Sequence, residues 1–453
     1  MLKIYNTLTK KVENFRPRKD KFVQLFVCGP TVYDYPHLGH ARVYIFFDFF
    51  AKFLKYLGYK VYFLMNITDV DDKIIQKAQE ENKKPFEIAK KYEKIFFQNL
   101  KDLKITSINK TAPASKYISK ILAQIENLLK KGYAYITSDG SVYFQTRKFK
   151  DYGKLSGQNI EDLKNFEEAR NKKDPLDFAL WKGRINDNEP VWKTPWGKGR
   201  PGWHIEDTAI TETFFGVQYD VHGGGLDLIF PHHECEIAQQ EAASGKKPFV
   251  KYWIHVNLLM INGEKMSKSL GNFITINDFL KTYSGRFVRF LLLKYHYQNP
   301  IDLTEKIIKE AEQEFFLLNE KMSKLLKAKR GKVRFSINEL KQKILNPLLN
   351  NLNTYVSISN LYFYLNELEK IINEDGLLNK KEIVDFLKSI DNFYNFIFPW
   401  KTLSLQDKKL IMLREKYREN KNYEKSDKIR QKLFKKRIIL EDLVDGTLVV
   451  NLN

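Results

Sequence analysis

The stretch Phe22–Asn66, FVQLFVCGPTVYDYPHLGHARVYIFFDFFAKFLKYLGYKVYFLMN, leaves few folds open. Phe22–Cys28 is short, apolar and β-rich, as a buried strand should be. Gly29-Pro30 breaks it, and a loop runs to Pro36-His37-Leu38-Gly39-His40. From His40, the residues Phe47, Phe50, Phe53, Leu54 and Leu57 recur at helical spacing, with Gly58 placed as a C-terminal cap. Lys60–Asn66 returns to a strand. Strand, helix and strand make a βαβ unit, which implies parallel strands and a right-handed crossover. Ligands of such sheets sit beyond the carboxyl ends of the strands. Cys28, the two histidines and Asn66-Ile67-Thr68-Asp69 are therefore expected around one crevice. Free N–H groups and the macrodipole at a helix N-terminus favour an anion, and Gly39 lets a nucleotide approach the backbone. A capped loop with surface histidines is the plainer reading of the same residues.

A chain of 453 residues should hold two or three domains, and 43% hydrophobic residues suffice for packed cores. No apolar run is long enough to span a bilayer. The N-terminus lacks an apolar stretch followed by a cleavage site. Two cysteines, Cys28 and Cys235, exclude a disulfide scaffold and fit a reducing, cytoplasmic setting. Seventy-six basic against 55 acidic residues give a net charge of +21, which favours a polyanionic partner, nucleic acid ahead of membrane. Lysines that merely solvate the surface are the alternative.

Asp71–Lys104 and the stretch within Ala112–Tyr133 read as helical, and Ala134–Phe144 as a hairpin turning at Asp139-Gly140. The sheet is expected to resume at Gly202–Ile210 and Gln218–Phe230, with Trp253–Met260 as a further strand. His222-Gly223-Gly224-Gly225-Leu226-Asp227 suits a ribose hydroxyl or an adenine laid on bare backbone; an ordinary turn is the alternative. Lys265-Met266-Ser267-Lys268-Ser269 is either a cationic clamp for a triphosphate or a basic surface loop. Ile307–Lys329, Ile337–Asn346 (ended by Pro347), Thr354–Asn373 and Lys380–Phe396 form an all-α module. A basic helical run, Leu405–Lys436, precedes a hairpin turned by Asp445-Gly446. The expected fold is thus α/β. A Rossmann-like parallel sheet (1–111 and 201–305) is split by an insertion (112–200) and followed by an all-α domain (306–400) and a basic helix with a terminal hairpin (401–453).

His37-Leu38-Gly39-His40 and Lys265–Ser269, on two halves of one split sheet, resemble the HIGH and KMSKS motifs of class I aminoacyl-tRNA synthetases. CGPTVYDYPHLGHAR, NITDVDDKII, KKDPLDFALWK, PWGKGRPGWHIE, HGGGLDLIFPHHE and KMSKSLGNF together resemble the cysteinyl-tRNA synthetase family. The likeness runs from about Tyr5 to the terminal hairpin. It implies attack of the cysteine carboxylate on the α-phosphate of ATP, then transfer of the cysteinyl group to tRNA(Cys). On this chain it assigns His37 and His40 to the phosphates, and Lys265 and Lys268 to the leaving pyrophosphate. Gly39, Gly224 and Asp227 would join His40 and Lys268 in holding ATP, with Mg²⁺. Gly29, Thr68 and Trp203 would shape the amino-acid pocket. A monomer is expected.

The family also binds Zn²⁺ through two cysteines, a histidine and a glutamate, and the metal takes the substrate thiolate. Soft sulfur on zinc separates cysteine from serine, which an apolar pocket does poorly. Cys28, His232 and Glu236 carry over, the last two sharing a helix face. The fourth position falls on Asp207, where the family has cysteine. Three readings stand open: Asp207 ligates through oxygen, Cys235 supplies the thiolate, or the metal is weakened or lost. Against Cys235, neighbours on a helix point about 100° apart. Two readings from other classes are a ligase joining cysteine to a small molecule and a non-catalytic tRNA-binding relic.

Overall fold

The computed structural model describes residues 1–163, 171–184, 189–266, 271–443 and 446–453. The chain divides into two compact units. One holds residues 1, 3–258 and 273–277; the other holds residue 2 together with 259–272 and 278–453.

The first unit is built on the βαβ element. Strand β1 (Phe22–Val27) leads to helix α1 (Leu38–Tyr56) and strand β2 (Lys60–Ile67), and β1 and β2 pair in parallel with Phe22 opposite Lys60. Gly58, at φ +88°, lets the chain leave the helix. Strand β3 (Lys110–Pro113) adds to β2, and helix α2 (Ile118–Lys130) follows. Helix α3 (Trp203–Phe215), strand β4 (Tyr219–Gly225), helix α4 (Glu234–Ser244) and strand β5 (Val250–Val256) complete the frame. The sheet order is β5-β4-β1-β2-β3 with every pairing parallel. The chain therefore winds one way from β1 to β2 and the other way to β4. That reversal opens a crevice at the carboxyl ends of β1 and β4, where the Cys28 amide donates to the Gly223 carbonyl at 3.1 Å.

Gly202–Ile210 is not a strand. Trp203–Phe215 is helical, started at Gly202 and ended at Gly216 (φ +82°). His204 to Thr211 are all buried, so the helix carries no polar stripe and its sequence shows no period. Asp71–Lys104 is two helices, Asp72–Glu80 and Pro85–Asp102, broken where Asn82 takes a positive φ ahead of Pro85. Between α2 and α3 lies a five-stranded antiparallel sheet that includes the expected hairpin, Ala134–Ile136 with Val142–Phe144. The strand expected to run to Met260 ends at Val256; Leu259–Ile261 pairs elsewhere, with Glu264–Lys265 and Ile301–Asp302 in the second unit.

Helices dominate the second unit, among them Glu305–Lys327, Thr354–Glu374 and Lys380–Tyr394. Pro347 does not end its helix, which runs Ile337–Leu349. Proline cannot bond the carbonyl four residues back, and Asn360 Nδ2 donates to that carbonyl, on Lys343, at 2.7 Å. The basic run forms two helices, Leu405–Glu419 and Tyr423–Phe434, ahead of the antiparallel pair Ile438–Leu443 and Gly446–Asn451. Asp445 of the expected turn lies outside the described residues. Fully buried Arg286 donates to Asn319 Oδ1 (2.7 Å) and to the carbonyls of Phe396 (2.8 Å), Asn451 and Asn453 (3.1 Å each). Among the described residues no helix is long and apolar enough to cross a membrane.

Close packing at β4 gives a first prediction. A Cβ on Gly223 would stand 2.1 Å from the Phe47 ring of α1. Gly223→Ala should lower unfolding free energy by about 1–3 kcal/mol, the usual cost of forcing atoms into a packed core. Urea titration is the check, and an unchanged midpoint would contradict this packing.

Candidate active site

The crevice at the switch point holds two clusters. The first is the start of α1. His37 is the residue before the first helical turn, and its Nδ1 accepts from the Gly39 amide at 3.0 Å. His40 Nδ1 in turn accepts from the His37 amide at 3.2 Å. The two imidazoles thus form a reciprocal capping box, doing what Ser and Glu do elsewhere. A neutral imidazole that accepts at Nδ1 carries its proton on Nε2, so each ring keeps one Nε2–H donor. Burial, then His37 and Lys73, push the His40 pKa well below the usual histidine value, so that donor is a neutral imidazole. The rings lie 3.9 Å apart. Phe273–Asn277 docks on this loop: Leu38 donates to the Ile274 carbonyl (3.1 Å) and Ile276 to that of Pro36 (2.8 Å).

The second cluster is buried and polar. Cys28 follows β1, Asp207 lies on α3, His232 precedes α4 and Glu236 lies on it. One ligand atom from each lies within 4.8 Å of all the others. Cys28 Sγ is 3.4 Å from Asp207 Oδ2, and His232 Nε2 is 3.0 Å from both Asp207 Oδ2 and Glu236 Oε1. All four are under a tenth exposed. Asp207 Oδ1 and both Glu236 oxygens make no hydrogen bond among the described residues. A buried acceptor left so costs about 1–3 kcal/mol, and a cation would satisfy all three. Burial, reinforced by Asp207 and Glu236, raises the Cys28 thiol well above its usual value. Burial, then Asp207, does the same to the Glu236 carboxyl. Thiol, imidazole and carboxylate suit a borderline-soft divalent ion.

Around this cluster stand the pocket residues expected from sequence. Gly29 N–H donates to Asn66 Oδ1 (2.6 Å), and Thr68 Oγ1 donates to Glu206 Oε2 (2.9 Å). Trp203, 38% exposed, stacks on His232 at 4.2 Å. Cys235 joins neither group of ligand atoms among the described residues: its Sγ faces Tyr152 Oη at 3.3 Å, in an apolar core that also includes Cys28. Gly224 and Gly225 are bare because a Cβ would meet His233 and Asp227 respectively, and Asp227 is exposed just after β4. Lys265 lies in the second unit, and Lys268 lies outside the described residues.

Glu206, His222 and His233 are at the site without any motif that marks them. His222 Nε2 and His233 Nε2 stand 3.3 and 3.1 Å from Cys28 Sγ. The available signal was crowding: His204, His222, His232, His233 and His255 are five of the chain's eight histidines.

The family profile for the tRNA synthetases class I (C) catalytic domain matches residues 14–313. The cysteine–tRNA ligase of Thermoplasma volcanium is 45% identical over 455 residues, covering 98% of each chain. That of Thermoplasma acidophilum is 42% identical over 453 residues, covering 99% of this chain and all of its own. Among solved structures, Mycobacterium tuberculosis methionyl-tRNA synthetase in complex with methionyl-adenylate superposes with a TM-score of 0.61. The match covers 83% of this chain and 88% of that one, at 14% identity, and speaks for the fold alone.

The raised Glu236 pKa fixes the sign of a pH effect. A carboxyl that holds its proton more tightly when folded stabilises fully below its unfolded value and loses that contribution as pH rises through the folded one. In chelated protein, wild type should therefore lose stability relative to Glu236→Gln as pH rises above the ordinary glutamate range. Denaturant titrations of both proteins test this, and a constant difference would contradict it.

Proposed function

The chain belongs to the cysteine–tRNA ligase family of class I tRNA synthetases, and we propose that it joins L-cysteine to tRNA(Cys) at the expense of ATP. The observation that carries this reading is the buried Cys28–Asp207–His232–Glu236 cluster beside Thr68 and Trp203. It offers a thiol-reading site next to an anion site at the start of α1. The alternatives of a small-molecule ligase and a non-catalytic relic are not favoured, since the two relatives match over almost the whole chain.

In the first step a carboxylate oxygen of cysteine attacks the α-phosphorus of ATP. The bond from that phosphorus to the α,β-bridging oxygen breaks, giving cysteinyl-adenylate and pyrophosphate. The Nε2–H groups of His37 and His40 donate to the phosphate oxygens as charge builds there. Gly39 admits the nucleotide to the helix start, and Gly224 and Asp227 hold the adenosine. Lys265 and Lys268 neutralise pyrophosphate, a role carried by their motif. In the second step a hydroxyl of the terminal ribose attacks the carbonyl carbon and AMP departs. Gly29, Thr68 and Trp203 position cysteine, and Glu206 holds the Thr68 hydroxyl. Positioning and electrostatics supply the catalysis.

Cys28, Asp207, His232 and Glu236 would hold Zn²⁺. When bound, the ion supplies a soft acceptor for substrate sulfur, which is the chemistry that distinguishes cysteine from serine. Mg²⁺ accompanies ATP. The +21 charge suits the tRNA.

Charging of a tRNA(Cys) transcript with labelled cysteine tests the reading. His40→Asn should lower kcat about 10²–10³-fold, as loss of one transition-state donor does, with a smaller change in KM for cysteine. Wild-type rates in that variant, or no charging by wild type, would overturn it. Zinc affinity checks the ligand set: Asp207→Cys should hold zinc at least about tenfold more tightly in chelator competition. Equal or weaker retention would remove residue 207 from it.

A further inference from the structure

Cys28 and Glu236 belong to two sets of ligand atoms. One set is completed by Asp207 and His232, the other by His222 and His233, and each is mutually within 4.8 Å and fully buried. The second pair is oriented for ligation. Tyr219 Oη stands 2.7 Å from His222 Nδ1. His233 Nδ1 stands 2.8 Å from His255 Nε2, and His255 Nδ1 lies 2.8 Å from Thr7 Oγ1. A proton on each Nδ1 leaves the Nε2 lone pair of both rings beside Cys28 Sγ, at 3.3 and 3.1 Å; His222 Nδ1 also lies 3.5 Å from Glu236 Oε2. A partner on the far nitrogen is what fixes the tautomer of a metal-binding histidine.

Charge separates the two sets. A thiolate with two carboxylates around a divalent ion leaves one net negative charge, whereas a thiolate, one carboxylate and two neutral imidazoles leave none. In a site without water the neutral arrangement has less desolvation to overcome, and imidazole nitrogen suits zinc at least as well as carboxylate oxygen. Asp207 in place of a second thiolate also removes the soft sulfur that would pin the ion to the first set.

We propose that this centre is a two-position site for one divalent transition-metal ion, held throughout by Cys28 and Glu236 and completed by either Asp207 with His232 or His222 with His233. The proposal rests on the reading of the cluster as a metal centre and is independent of which amino acid is activated.

Zinc K-edge X-ray absorption on the full-length, zinc-loaded wild-type chain reads the imidazole count directly, without any variant. The two-position site gives more than one imidazole per zinc. A single imidazole, the count the first set alone allows, overturns the proposal and leaves the metal reading standing. A chain that retains no zinc at all overturns both. Metal content of variants gives a second readout. Asp207→Ala and His233→Ala should each keep roughly one zinc per chain, and combining them should weaken retention by about tenfold or more. Loss of zinc from Asp207→Ala alone, in protein with a wild-type circular dichroism spectrum, would contradict the second position.

Discussion

The structure turns on one constraint: a thiol, two carboxyls and several imidazoles are shut away from water at the carboxyl end of a parallel sheet. Three separate elements deliver Cys28, Asp207 and Glu236 to one point. Glu236 makes no hydrogen bond through either oxygen among the described residues. Such groups are expensive to bury without a partner of opposite charge. They meet where the winding of the sheet reverses, at the carboxyl ends of the paired strands β1 and β4. Burial also raises the Cys28 thiol and the Glu236 carboxyl, so binding an ion means displacing protons from them, and affinity must rise with pH.

Beside this centre, the start of α1 shows how a short motif gains function from backbone geometry. The His37 and His40 side chains spend Nδ1 on helix capping, which fixes the tautomer and puts the remaining ring proton on Nε2. Structural and chemical roles are thereby divided between the two nitrogens of each ring. The buried thiol cluster and the histidine-capped helix start lie at the same edge of one sheet, as the proposed reaction of a cysteine carboxylate with a nucleotide α-phosphate needs.

Much of this was legible in the chain. The βαβ unit was readable because α1 shows a helical period and both strands are short apolar runs with clear punctuation at Gly29-Pro30 and Gly58. Helix α3 was not readable, because burial on all sides erases the contrast that marks a helix. Pro347 misled because the compensating donor, Asn360, belongs to another helix. At the site, the resemblance to the family pointed to Cys28, Asp207, His232 and Glu236, and the fold brings these four together. His222 and His233 were not so marked, since neither a strand histidine before glycine nor a second histidine beside His232 shows its distance from a cysteine 194 or 205 residues away. Cys235 looked eligible by its position and faces Tyr152 instead, one helical step from Glu236.

In the proposed function a buried metal-binding centre selects the amino acid by its sulfur. Cysteine-dependent exchange of pyrophosphate into ATP, run on zinc-loaded and chelated protein with serine as competitor, tests it most directly. Exchange with cysteine alone, lost on chelation and restored by zinc, is the predicted result. Exchange that survives thorough chelation with its preference for cysteine intact would contradict it.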